Sequence, residues 1–108
     1  MSYSLEYDED HVVAYLRGVA LSREGRVRLF TGLNVNLGQY GDSYRSTPSR
    51  RLRSDSPYFW YEFMLLDEHG DGLIHYFRFV VSDAAAPYGV LRVVYVDEDH
   101  WPPPEGLL

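Results

Sequence analysis

The chain has no cysteine. Disulfide staples, thiolate chemistry and cysteine-ligated zinc are therefore excluded, and stability must come from the packed core. It has no lysine either, since all ten basic residues are arginine. A GC-rich coding bias explains such a whole-chain absence better than selection for the bidentate guanidinium fork. No run approaches the roughly 18 apolar residues of a membrane span. The opening stretch MSYSLEYDED is acidic and has no apolar segment, so it does not read as a signal peptide. The expectation is a cytoplasmic or virion-associated protein without membrane insertion. GxSxG, HExxH and a glycine-rich phosphate loop opening a helix are all missing. No catalytic residue, metal or cofactor is expected, and the chain reads as a non-enzyme.

What is present is aromatic and alternating. Phe, Tyr and Trp make up 16% of the 108 residues, and ten are Tyr, a side chain suited to half-buried sheets and binding surfaces. Residues 1–108 read as a single domain. Tyr58–Val81 carries two alternating runs around a short acidic turn and predicts a long β-hairpin. Residue numbers summing to 140 pair Phe59 with Val81, Tyr61 with Phe79 and Phe63 with Phe77 on one side. Trp60 then faces Val80, and Glu62 faces Arg78, on the other.

Further strands are expected at Ser2–Tyr7, with a turn at Asp8–Asp10, and at Val90–Val96, where Leu91, Val93 and Tyr95 would share a face. Val12–Leu21 fits a helix face through Val13, Leu16 and Ala20 with Asp10 as N-cap. Gly18 and the β-branched content favour a strand instead. In Val27–Leu37 the odd-numbered residues Val27, Leu29, Thr31, Leu33, Val35 and Leu37 alternate with a mostly polar set, again a strand. Gly32 there suggests a bulge or a close approach. Residues 38–57 read as a long basic loop rich in Ser, Gly, Pro and Arg. Residues 98–108 read as a Pro-rich extended tail. The sum is an all-β antiparallel sandwich, or related small barrel, of six to seven strands.

The hairpin residues YEFMLLDEHGDGLIHYFRFVVSD and the strand–turn–strand look of GVALSREGRVRLF resemble Ig-like and fibronectin type III-like accessory β-sandwich domains. The resemblance implies the sandwich fold alone, since no cysteine is there to form an Ig disulfide.

Charge is unevenly spread. Residues 1–10 carry −4, residues 17–53 carry eight Arg against Glu24 and Asp42, and residues 54–108 carry −8. The turn Asp67–Gly72 has EF-hand features. His69 replaces an oxygen ligand, however, and Arg78 stands where the bidentate Glu belongs, so a plain turn with positive φ at Gly70 and Gly72 is expected. The tetrad DEDH occurs at 8–11 and at 97–100, and the two copies could converge on a divalent metal. They read instead as solvated acidic turns. His75 reads as a half-buried structural histidine. In the basic loop, Arg45, Arg50, Arg51 and Arg53 with Tyr40 and Tyr44 are candidate contacts. The acidic Asp97, Glu98 and Asp99 and the aromatic Trp101 before three prolines are the others. A net charge of −6 and an isoelectric point near 5 disfavour nucleic acid as the partner. The expected function is a non-enzymatic protein-interaction module, a structural or assembly component that docks on a protein partner or self-associates through its basic loop and acidic termini. The alternative is a small acidic inhibitor or immunity-type protein that blocks a basic site.

Overall fold

The computed structural model describes residues 2–98. Its architecture is α+β, with a helical layer on one face of a four-stranded mixed sheet. The strands are β1 (Ser4–Tyr7), β2 (Tyr58–Leu66), β3 (Ile74–Ser82) and β4 (Val90–Asp97), in the order β1-β4-β3-β2. β1 runs parallel to β4, and the other neighbours are antiparallel.

Between β1 and β2 the chain is helical. A π-helical turn (Glu9–Val13) leads into α1 (Ala14–Gly18). α2 (Arg23–Leu33) continues through a second π-helical stretch (Asn34–Gln39) into α3 (Tyr40–Arg45). Short 3₁₀ turns follow at Pro48–Arg50 and Ala86–Tyr88. The all-β sandwich and the Ig-like and fibronectin type III-like resemblance are therefore overturned. Two of the expected strands, Val12–Leu21 and Val27–Leu37, are helical, and much of the expected loop 38–57 is the end of the same helical run. The expected tail 98–108 lies outside the described residues beyond Glu98.

The misread helices have a definite cause. Leu29, Leu33 and Leu37 are fully buried, whereas Val27 and Val35 are exposed. Positions four apart belong both to an alternating pattern and to one helix face, so the odd-numbered run satisfied both periods. In the first helix the buried residues are Val12 and Leu16, also four apart. Its N-cap is Asp8, whose carboxylate accepts from the His11 N–H at 2.7 Å.

The hairpin register is the expected one, with every pair from Tyr58–Ser82 to Leu66–Ile74 summing to 140. Phe59, Tyr61, Leu65, Phe77, Phe79 and Val81 fill the core beneath the helices. The β4 face pattern differs from expectation. A register shift between Val80 and Val81 leaves Val94 as the extra residue, so Val93 pairs with Val81 while Tyr95 pairs with Val80. That bulge moves Tyr95 to the face opposite Val93. Burial first, and then the Tyr95 O–H donated to Asp97 at 2.9 Å, push the Tyr95 phenol up to about 12.

The helical layer is fixed to the hairpin at two points. Gly32 lies against Phe63, and a Cβ there would come within 2.4 Å of its ring, so the glycine serves a helix–strand approach. At the other point Asp67, 1% exposed, accepts from the Ser22 backbone N–H at 2.7 Å and from the Ser22 hydroxyl. Ser22 is itself the N-cap of α2, accepting from the Gly25 N–H at 3.0 Å. Gly25 and Gly70 make room for that carboxylate, because a Cβ on either would come within 2.8 or 2.1 Å of its oxygens. In the turn only Gly72 has positive φ, so Gly70 is required for space and not for conformation.

These two hydrogen bonds, the Ser22 hydroxyl first and its N–H second, hold the Asp67 carboxyl below the usual carboxylate range. The stabilisation is complete above the unfolded-state pKa of about 4 and is lost as pH falls through the lower folded value. Asp67→Asn should lower the urea midpoint at neutral pH and flatten the acid limb of the stability curve. Ser22→Ala should cost about 1 kcal/mol for the cap alone, and more because Asp67 loses a donor.

Candidate interaction site

Strand direction sorts the charged segments by sheet end. β1 and β4 are parallel, so Asp8, Glu9 and Asp10 after β1 and Asp97 and Glu98 at the close of β4 lie at the same end. β3 is antiparallel to β4, with Arg78 opposite Asp97, so the 67–72 turn joins them there. The 46–57 segment precedes β2 and lies at the other end, beside the close of β3, where the Asp83 N–H donates to the Pro57 carbonyl at 2.9 Å.

At the acidic end His75 forms a clasp. Its Nε2 lies 2.9 Å from Asp71 and its Nδ1 3.2 Å from Glu98, with the ring stacked on Phe77. Both contacts are hydrogen bonds only when both ring nitrogens carry protons. The clasp ties the hairpin turn to the end of β4, and the Glu98 N–H adds a bond to the Tyr15 hydroxyl at 3.2 Å. His75 thus has the structural surroundings expected of it. Asp97 is buried at 5% exposure and accepts from Tyr95. Glu98 keeps part of its surface, while Asp99 and Trp101 lie outside the described residues. The two DEDH tetrads are brought to one end as far as they are described, with His100 outside. No group of three or more His, Asp or Glu gathers as a metal site among the described residues.

At the basic end most of the candidate arginines already have partners within the fold. Arg51 bonds Asp83 at 2.6 Å and the Arg45 carbonyl, with its side chain 19% exposed. Arg45 bonds Asp42 at 3.0 Å and approaches Asp83 at 3.7 Å. Asp42 also accepts from the Tyr3 hydroxyl, which, followed by Arg45, holds its carboxyl low. Arg50 lies over Tyr44 at 4.9 Å and over Trp60 at 5.8 Å. Tyr44 packs edge-on against Tyr61 with centroids 4.9 Å apart, so it is part of the core flank. Arg53, at 61% side-chain exposure, and Tyr40, at 58%, project outward. A shallow cavity of about 340 Å³ opens beside Arg45 and Arg51, lined also by Asp42, Ser43 and Ser46.

Asp83 and Asp42 are the residues that sequence reasoning missed. The hairpin register held a signal for the first. Extending the sum of 140 by one step sets Asp83 beside Pro57, at the foot of the arginine segment. Asp42 carried no comparable sign, because it lies in α3, within the segment read as a loop.

No helix among the described residues is long and apolar enough to cross a membrane. No family model, curated protein or solved structure matches the chain.

Breaking the Arg51–Asp83 pair by Arg51→Ala should cost about 2 kcal/mol, because a carboxylate with little solvent access loses the shorter of its two arginine contacts. Arg53→Ala should stay within about 0.5 kcal/mol, as exposed substitutions do. Denaturant midpoints of the two variants distinguish an internal strut from an exposed charge whose contact is Asp55 at 3.7 Å.

Proposed function

We propose that the protein is a non-enzymatic protein-interaction module that docks through its two oppositely charged ends. The observation that carries this reading is the sorting of charge by strand direction. Acidic side chains 8–10, 68, 71 and 98 share one end of the sheet, where Arg28 of α2 also lies, and Arg45, Arg50, Arg51 and Arg53 occupy the other together with Asp42, Asp55 and Asp83. Steering by such fields raises association rates and selects oriented encounters. Within the basic end, Arg50 on its Tyr44–Trp60 platform and the projecting Arg53 are the contacts offered to an acidic partner. Arg45 and Arg51 act as struts that shape the segment.

The engagement of Arg45 and Arg51 by Asp83 favours a second reading, in which the acidic end alone does the binding and blocks a basic site, as an inhibitor or immunity-type protein would. Charge reversal separates the two. Pull-down from the native host should lose its partner on Glu9→Arg/Asp10→Arg and also on Arg50→Glu/Arg53→Glu if both ends dock. The acidic-end reading expects the second pair to leave binding intact. Retention of the partner by both double variants would defeat both readings.

A further inference from the structure

The two edges of the sheet differ sharply. β1 is four residues long and carries the exposed Glu6–Arg92 ion pair, which blunts it. β2 has nine residues. Its even-numbered residues direct their backbone groups away from β3: the Tyr58 carbonyl accepts from Leu52, and the Leu66 carbonyl accepts from the Arg28 guanidinium at 2.9 Å. The bridge between Arg51 and Phe59 covers the beginning of this edge. From Glu62 to Met64 it is open to another strand, while the Leu66 carbonyl would be shared with Arg28.

The same stretch is apolar. Of the eight large hydrophobic side chains exposed among the described residues, four belong to this part of the hairpin: Met64 at 63%, Leu66 at 38%, Leu73 at 63% and Ile74 at 64%. Glu62, the one charge on the open stretch, is placed opposite Arg78 across the strands and hydrogen-bonds the Tyr76 hydroxyl. It is thereby a weak guard against pairing.

We infer that β2 pairs antiparallel with β2 of a second copy about a two-fold axis at Met64, joining two four-stranded sheets into one. Complementarity identifies the occupant. An antiparallel arrangement about Met64 sets Glu62 opposite Leu66 of the other copy, so no like charges oppose each other. An axis at Glu62 would oppose that carboxylate to itself and collide with the Arg51–Phe59 bridge. Beyond the paired strands, the acidic 67–72 turn of each copy meets the basic 50–57 segment of the other, where Arg53 projects. Met64 and Leu66 of β2, the strand edge and these charged rims would form the contact. The contact is isologous and closes on itself.

The inference shares the charged ends with the proposed function but stands on the strand edge, so its test is made at Met64. Sedimentation of the whole chain over a concentration series should show a dimer that weakens as salt rises. Met64→Glu places like charges at the axis and should raise the dissociation constant about tenfold or more. Met64→Pro should do the same, removing an outward N–H without touching the β3 ladder. Met64→Cys supplies the only thiol in the chain. A hydrogen-bonded pair holds its Cα atoms about 5.5 Å apart, within disulfide reach, so mild oxidation should give a covalent dimer. Glu6→Cys on the opposite edge should stay uncoupled. A parent that is monomeric throughout, a dimer unchanged by both Met64→Glu and Met64→Pro, or coupling at Glu6→Cys in place of Met64→Cys would overturn the inference. Charge reversal at Glu9 and Asp10, which tests the proposed function, leaves this edge intact.

Discussion

Asp67 sits where the helical layer meets the hairpin. Its carboxylate is buried, and its donors are the backbone and hydroxyl of Ser22, the residue that starts α2. A buried carboxylate without donors is costly, and a helix start without a cap leaves N–H groups unmet. Each group answers the other's need. The α2 start is thereby fastened to the turn, and Gly25 and Gly70 keep the space clear. The rest of the helical layer follows from that anchor, passing Phe63 at Gly32 and reaching Tyr3 and Leu91 at Gly41, where a Cβ would meet both side chains. Asp67 stood out in the sequence as a possible calcium ligand. Its role is the reverse of a ligand's, since its oxygens face inward to the helix start.

Legibility in the sequence tracked how many independent constraints fell on each segment. The hairpin was readable because its register had to satisfy aromatic partners on one face and Glu62 against Arg78 on the other. A slip of one residue breaks both matches. Val27–Leu37 had only one constraint, a set of apolar odd positions, and Leu29, Leu33 and Leu37 satisfy a helix equally well. The deciding features were local. Ser22 caps α2, Glu24 lies in its first turn, and Val27 and Val35 are the members of the odd-numbered set that stay exposed. Within β4 the bulge at Val94 could not be read from alternation, since it is the place where alternation fails.

The candidate contacts show a related limit. Composition marked out the arginine segment and the acidic segments but said nothing of which charges are spent inside the fold. Arg51 and Arg45 are balanced by Asp83 and Asp42, which are distant from them in sequence or hidden in a misread helix. Asp97 is used by Tyr95 within the sheet. An isolated charge count overstates a binding surface whenever a long-range pair consumes it. The stacked Arg50 and the exposed Arg53, which lies 3.7 Å from the equally exposed Asp55, are the most accessible of these four arginines.

Topology gathers the acidic blocks at one end and splits the basic block, the start of α2 lying beside the 67–72 turn and the 45–53 arginines at the other end. The parallel placement of β1 beside β4 brings residues 8–10 next to 97 and 98, although nearly the whole chain separates them. The antiparallel β3 adds the 67–72 turn to that end and leaves the 46–57 segment at the other. The same placement of β1 gives one edge to a short charged strand and leaves β2 to form the other. A molecule with a net charge of −6 resists association with its like. That resistance is least when two copies run antiparallel, because each acidic end then faces a basic one, and it is greatest when like ends meet. The strand edge admits pairing in either direction on backbone grounds, so the charge arrangement is what would favour an antiparallel one. Edge and ends are in this sense one device, set by where the first strand enters the sheet.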